Sequence, residues 1–378
     1  MHVAIVHDAF MQWGGAENLV LAMSEIWPNA PIYTSAVNAN ILPAGFPKEK
    51  LITSFIQKFP LSKKIYQPLF FLQPLAFEQF NLNEFDVVIS STTKFAKSII
   101  TGPRTLHICY CNTPTRILWF FKEYIRQRDL SFFLKPIYAP LLTPVISSLR
   151  AHDYSAAQRV DYFVANSKNV ARRIKKFYRR DSTVIYPFVD FKKFKPDINS
   201  KRQTAGDKYY LIVSRLTGHK RVDIAIEAFN HLGLPLKIIG AGSEEKKYRR
   251  MAKSNIQLLG WVDGKQLAQY YQNCQALIYP QEEDFGITAL EAQAAGRPVI
   301  AYKAGGALET VIDGKTGVFF EPQTSQALIE AIKRFESLKF SSKDCIKNAR
   351  NFSKQRFKKE LKKFVEEKWD QACLTSTL

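Results

Sequence analysis

Short apolar runs recur along the chain, each closed by glycine, proline or polar residues and followed by a stretch with helical spacing. The first, Val3 to Val6, reads as a buried strand, followed by a Gly14-Gly15 loop and a helix over Ala16 to Ile26. Val87 to Ile89, Leu106 to Ile108, Tyr162 to Ala165 and Val184 to Tyr186 read as further strands with helical patterns between them. Asn166-Ser167 offers a cap for the helix after Ala165. Between Phe191 and Asp207 the sequence turns polar, which predicts a linker or domain edge.

Beyond it the alternation restarts. Tyr209 to Val213, Leu236 to Ile239, Ile256 to Leu259, Leu277 to Tyr279 and Val299 to Tyr302 read as strands. Helices are predicted over Val222 to Leu232, Glu244 to Ala252, Gly264 to Gln272 and Ile287 to Ala295, and a long basic helical pattern over Asp344 to Ala372. Strands and helices alternating in two halves predict an α/β chain of two Rossmann-like domains. The expected boundaries are 1–190 for the N-terminal domain and 191–356 for the C-terminal one.

A length of 378 residues suits two domains, and 46% hydrophobic residues suit folded cores. The formal net charge of +20 calls for an anionic partner. No zinc-finger spacing, RNP signature or basic heptad region is present, so nucleic acid is not expected. Phosphate groups and anionic lipid headgroups remain. The start, MHVAIVHDAF, lacks a basic n-region and reads as a strand rather than a signal peptide. The most apolar window, Phe132 to Leu149, holds Lys135 and three prolines, Pro136, Pro140 and Pro144, too broken for a membrane span. Any membrane role is therefore expected to be peripheral. Cys109, Cys111, Cys274, Cys345 and Cys373 have no framework spacing and are expected to be reduced cytoplasmic thiols. The six histidines show no ligand spacing and no D-x-D tripeptide occurs, so no metal site and no cofactor are expected.

The chemistry concentrates in YPQEEDFGITALEAQAAGRPVIAY, Tyr279 to Tyr302. Glu283 and Glu291 are eight positions apart, which at ~100° per residue puts them about 80° apart on a helix, off a common face. Glu283 is therefore placed on the loop after a strand and Glu291 inside the next helix. That helix starts at Gly286-Ile287-Thr288, whose free N–H groups can face an anion. SRLTGHKRVD places Arg215 and Lys220 in another strand-to-helix loop, with cations for a diphosphate.

The stretch EEDFGITALEAQAAGRPVIAYKAGGALETVIDGKTGVFF resembles the donor-binding core of the retaining glycosyltransferases of family 4, which have the GT-B fold. The E-x7-E pattern with Gly305-Gly306, Glu309 and Thr316-Gly317 carries the resemblance, and VHD and GGAE near the start extend it to about Phe357. Within that family the chain resembles the bacterial mannosyltransferase-like branch that builds O-antigen and exopolysaccharide. The resemblance implies two facing Rossmann-like domains with a cleft between them, and a last helix, about 357–378, crossing back onto the first domain. It implies that Arg215 and Lys220 hold the donor phosphates and stabilise the departing nucleotide. Glu283 is implied at the transferred sugar, Glu291 at the ribose hydroxyls, and Gly286, Ile287 and Thr288 at the phosphates. Gly14 and Gly15 are implied where donor and acceptor meet, with Gly305 and Gly306 near the sugar. Gly240 and Gly242 border the donor loop in the resemblance but are given no role.

One departure stands out. Related proteins have histidine where this chain has Asn112, and asparagine can hydrogen-bond but cannot titrate. Asn112 is therefore expected to orient the sugar without proton transfer. His7 and His107 are expected to be structural, and His152-Asp153 to border the cleft. Phe55 to Phe77, continued by Trp119, Phe120, Phe121, Lys122 and Tyr124, mixes basic and aromatic residues in a way that suits either a bilayer interface or a packed loop region.

The implied function is transfer of a hexose, mannose from GDP-mannose, onto a hydroxyl of a lipid-linked glycan, in the cytoplasm at the inner face of the membrane. UDP-sugar transfer is the alternative, followed by a UDP-GlcNAc 2-epimerase-like enzyme and a catalytically silent binding protein.

Overall fold

The computed structural model of the chain describes residues 1–59, 66, 68–121, 135–196 and 208–375. Most of the expected linker (197–207), residues 60–65 and 67 of the basic-aromatic stretch, Lys122, Tyr124 and the start of the apolar window (132–134) lie outside the described residues. Two compact units form: one runs to Tyr186 and is rejoined from Phe357 onward, and the other is Pro187–Arg356.

Unit 1 is built on seven strands: β1 (Val3–His7), β2 (Ile32–Thr34), β3 (Leu51–Thr53), β4 (Val87–Thr92), β5 (Leu106–Cys111), β6 (Tyr162–Ala165) and β7 (Ser182–Val184). They lie in the order β3-β2-β1-β4-β5-β6-β7, and every pairing is parallel. Strand direction is common, but strand order reverses between β1 and β4, so loops leaving those two strands diverge and open a crevice. Central strands β1, β4 and β5 are buried at every position, as their apolar starts suggest, and they carry His7, Ser90, Ser91, Thr92 and His107 into the interior.

Buried polar groups in this unit are tied into the fold. The Asp8 carboxylate, just past β1, accepts from the backbone N–H groups of Thr93, Lys94, Phe95 and Ala96 and from the Thr93 hydroxyl. It fixes the loop leaving β4 to the end of β1. His107 bonds Ser90 through Nε2 at 2.8 Å, and burial pushes its pKa down to about 3. It is a neutral core residue, as the strand pattern suggested. From Phe357 onward the C-terminal helix packs within unit 1, with Phe357 edge-on to Tyr110 at 5.8 Å and Lys358 3.4 Å from Glu25.

Unit 2 has six strands: β8 (Tyr210–Val213), β9 (Leu236–Ile239), β10 (Ile256–Gly260), β11 (Leu277–Tyr279), β12 (Val299–Tyr302) and β13 (Gly317–Phe320). The order is β10-β9-β8-β11-β12-β13, again all parallel, with the reversal between β8 and β11. One core joins the Val222–Leu232 and Ser325–Ser337 helices to the sheet through Phe229, Ile332 and Ile300.

Three expectations change. The last strand of unit 1 is Ser182–Val184 rather than Val184–Tyr186, because an edge strand with one neighbour needs no apolar run. The basic tail is two helices, Ser342–Arg350 and Lys354–Thr375. The chain turns between them so that buried Phe352 packs at 5.7 Å against Phe285. The Pro136, Pro140 and Pro144 region lies in a continuous helix, Lys135–Gln158. Among the described residues no helix is long and apolar enough to cross a membrane.

Candidate functional site

In unit 2 the loops leaving β8 and β11, the two strands at the reversal of strand order, carry the residues singled out in the sequence. This is where open parallel sheets bind ligands. After β8 the chain passes Arg215 and makes a short 3-10 turn, Gly218–Lys220. Arg215 is exposed and meets no acidic partner among the described residues. Lys220 is turned inward, and its Nζ donates to Glu283 Oε1 on the loop after β11. Arg221, left without a role, is engaged in the fold by Asp223 at 3.4 Å and Gln323 at 3.2 Å.

The β11 loop ends at Gly286, which holds φ +92° as it caps the Ile287–Ala294 helix. A side chain is strained there, and its Cβ would stand 2.7 Å from the Tyr279 hydroxyl. The N–H groups of Ile287 and Thr288 thus start a helix beside Glu283, as the spacing predicted. Gly306 donates its N–H to the Glu283 carbonyl at 2.9 Å, so the Gly305-Gly306 loop braces the backbone that carries this carboxylate.

Glu291 lies one turn into the same helix, where Tyr271 donates its hydroxyl to Oε2 at 2.8 Å. Tyr271 is itself fully buried and meets Phe194 edge-on at 5.5 Å. Burial raises the Glu291 pKa and Asp190 adds to the rise, while the Tyr271 hydrogen bond and the charge of Lys193 act against it. The carboxylate therefore has one oxygen fixed by the protein and a proton affinity above that of an ordinary glutamate.

Two features that shape the site have no role in the sequence reading. Tyr271 is 20 residues from Glu291 and reaches it only through the folded packing of the Gly264–Asn273 helix. Gly240 and Gly242, left without a role, are required by close approach: a Cβ on either would overlap the carbonyl oxygens of Ser214 or Leu216. They press the β9 loop against the loop that carries Arg215. Gly240→Ala is expected to cost about 1–3 kcal/mol by overpacking against the loop that carries Arg215. Thermal unfolding of the variant would check the effect.

Gly14, Gly15 and Asn112 belong to unit 1. Gly14 is the extended residue before the Gly15–Ile26 helix, in the loop after β1. Asn112 follows β5 and is buried, its amide donating to Ser91 Oγ at 3.2 Å and the Thr92 carbonyl at 3.3 Å. Its N–H groups are thus used within the unit. His7 is also buried, with Nδ1 3.2 Å from the Ser91 carbonyl and Nε2 3.9 Å from Glu17.

Asp153 is fully buried within unit 1, paired with Lys97 and accepting from Trp119 Nε1 and the Tyr178 hydroxyl, each at 2.8 Å. The helical pattern fixed its element but not its face. All five cysteines are free thiols, and burial pushes Cys109 and Cys274 up to about 12. Among the described residues no three His, Cys, Asp or Glu side chains gather to hold a metal ion.

Residues 193–352, within unit 2, match the family model described as glycosyl transferases group 1. O-antigen chain mannosyltransferase C of Escherichia coli is 27% identical over 242 residues, covering 60% of this chain and 61% of that protein. The chain thus matches about three fifths of that relative's length. Sucrose-phosphate synthase from Thermosynechococcus elongatus superposes with a TM-score of 0.74 at 16% identity, over 98% of this chain and 100% of that one. The Anabaena protein HepE, solved in complex with UDP, gives a TM-score of 0.68 at 18% identity, over 97% and 100% of the two chains. The fold is that of GT-B glycosyltransferases, with two parallel-sheet α/β domains.

Proposed function

We propose that the chain is a retaining, metal-independent hexosyltransferase. It moves mannose from GDP-mannose to a hydroxyl of a lipid-linked glycan in cell-surface polysaccharide synthesis, at the inner face of the membrane. The observation that carries this reading is the meeting of Lys220 and Glu283 across the two loops at the reversal of strand order in unit 2. Arg215, Glu291 and the start of the Ile287–Ala294 helix lie on the same pair of loops or the helix they lead into. The mannosyl donor is supported by the similarity to the Escherichia coli mannosyltransferase.

A nucleotide-sugar presents a diphosphate, a ribose and a sugar ring, and each meets a suitable group. Arg215 and Lys220 supply fixed positive charge to the diphosphate, joined by the N–H groups of Gly286, Ile287 and Thr288. Glu283 accepts from the hydroxyls of the transferred sugar, and its contact with Lys220 ties sugar recognition to the leaving group. Glu291 accepts from the ribose through the oxygen that Tyr271 leaves open. In the reaction the acceptor oxygen bonds to the anomeric carbon as the bond from that carbon to the phosphate oxygen breaks. The acceptor proton passes to the departing phosphate on the same face. Lys220 and Arg215 stabilise the charge that grows on the leaving nucleotide, where fixed cations act most strongly.

Glu291 makes the binding pH-dependent. The ribose contact needs the carboxylate, so nucleotide affinity falls as pH falls through the raised Glu291 pKa, and the fall begins above the range of an ordinary glutamate. Tyr271→Phe removes a hydrogen bond that holds this pKa down. The variant is expected to bind nucleotide about tenfold more weakly near neutral pH, the lower end for a bond to a charged group. Its loss of affinity on acidification is expected to begin at higher pH. Titrations of wild type and variant across the acidic range read both effects.

A UDP-sugar donor is the second reading, favoured by the UDP bound in the HepE structure. Calorimetric titration of GDP, UDP and ADP into the protein in EDTA separates the two. Binding of GDP alone supports the mannosyl donor, and preference for UDP replaces it. Failure of all three to bind removes the transferase reading.

A further inference from the structure

The net charge of +20 is not spread evenly. The Lys168–Tyr178 helix of unit 1, KNVARRIKKFY, carries Lys168, Arg172, Arg173, Lys175 and Lys176 and no acidic residue, and Arg179 and Arg180 follow it. Val170, Ile174 and Tyr178, four residues apart, bury one face in the core. On the opposite face Arg172, Lys175, Lys176 and Arg179 form an exposed stripe at helical spacing. Arg172, Lys176 and Arg179 meet no carboxylate among the described residues. Lys175 pairs at 2.7 Å with Asp181, but both side chains are mostly exposed, and such a pair contributes little.

The helix dipole favours Lys175, Lys176 and Arg179 at the C-terminal end, but the fold does not account for the rest of the arrangement. Cations three and four residues apart repel one another, and Lys168 in the first turn opposes the dipole. The C-terminal helix, equally rich in lysine, also carries four carboxylates, and its Lys362 and Lys363 face Glu366 and Glu367 one turn on. Beside the unbalanced stripe, Trp119 stacks on Phe177 at 4.8 Å and Phe120 meets Phe177 edge-on at 5.5 Å. Arg173 lies 5.1 Å over the Phe120 ring. All three aromatic residues are partly exposed.

We propose that this helix face, with Trp119, Phe120 and Phe177 at its side, docks the protein onto an anionic lipid bilayer. The stripe matches the negative headgroups in charge, and rings that are apolar on one side and wet on the other suit the headgroup boundary. The proposal rests on the lipid-linked acceptor reading for its purpose but on the charge pattern for its location. A bilayer is favoured over nucleic acid because the aromatics pack on one another beside the stripe and no nucleic-acid motif accompanies it.

The test is sedimentation of the full chain with phosphatidylcholine vesicles, with and without phosphatidylglycerol, alongside GDP titration. Wild type is expected to bind only the anionic vesicles, and less as salt rises. The triple variant Arg172→Gln, Lys175→Gln, Lys176→Gln is expected to lose about 100-fold in partitioning, at about fivefold per cation. Its thermal midpoint should change little and its nucleotide affinity should hold. The matched variant Lys359→Gln, Lys362→Gln, Lys363→Gln, with the same loss of charge on the C-terminal helix, should change partitioning far less. Equal losses in the two variants, no binding to anionic vesicles, or tighter binding to an RNA oligonucleotide than to vesicles would each overturn the proposal. GDP binding without vesicle binding defeats the docking alone, and vesicle binding without GDP binding defeats the GDP-mannose reading alone.

Discussion

Asp153→Ala is expected to destabilise unit 1 by about 3–5 kcal/mol, the range for removing one partner of a buried ion pair. Lys97 and Asp153 are both fully buried. The Lys97 amine also donates to the Lys94 carbonyl at 2.8 Å and to Thr115 Oγ1 at 3.3 Å. Asp153 Oδ2 is occupied by Trp119 and Tyr178. Loss of the carboxylate leaves a buried ammonium without its counter-charge, and an indole N–H and a phenol without their acceptor. Because the network reaches Thr115, three residues past Asn112, the damage should extend to the loop leaving β5. Denaturant unfolding would measure the loss. The double variant Lys97→Met, Asp153→Leu should recover part of it, since a neutral pair of similar volume leaves no charge unpaired while Trp119 and Tyr178 still lack their acceptor.

Lys220→Ala is expected to lower kcat by about 10²- to 10³-fold, the loss found when one preorganised donor to developing charge is removed. Its cost in stability should be smaller than that of Asp153→Ala, because Glu283, the partner it leaves behind, is partly exposed. Lys220→Arg should rescue only partly, since a planar guanidinium cannot occupy the place of a compact ammonium against Glu283. Steady-state kinetics with GDP-mannose would read the change, with thermal unfolding as the control for folding. A fall in kcat with little loss of nucleotide affinity would mark Lys220 as acting on the leaving group rather than on ground-state binding.

Much of the donor half was legible because its signals are local. The strand-loop-helix around Glu283, Gly286 and Glu291 follows from spacing, and the glycine that frees the turn lies within it. Continuous apolar strands announced the parallel sheets. What escaped depends on residues far apart in the chain. Tyr271 reaches Glu291 through helix packing, and Asp153 faces the core through partners at Lys97, Thr115 and Tyr178. Gly240 and Gly242 looked like a loose loop, and only the backbone they press against shows why a side chain cannot stand there. The turn at Phe352 was hidden because Asn351 and Ser353 interrupt a helical pattern only weakly, while the pull of Phe285 is tertiary. At Asn112 the sequence showed what chemistry is missing, and the structure shows that its amide is held by Ser91 and Thr92.

The central claim is sugar transfer, and the direct measurement is incubation of the protein with radiolabelled GDP-mannose and a lipid-linked glycan extract in EDTA. Label is expected to move into the lipid fraction with wild type and to stay in the nucleotide-sugar with Lys220→Ala. Label that wild type leaves on the nucleotide, or releases only as free mannose, would contradict it.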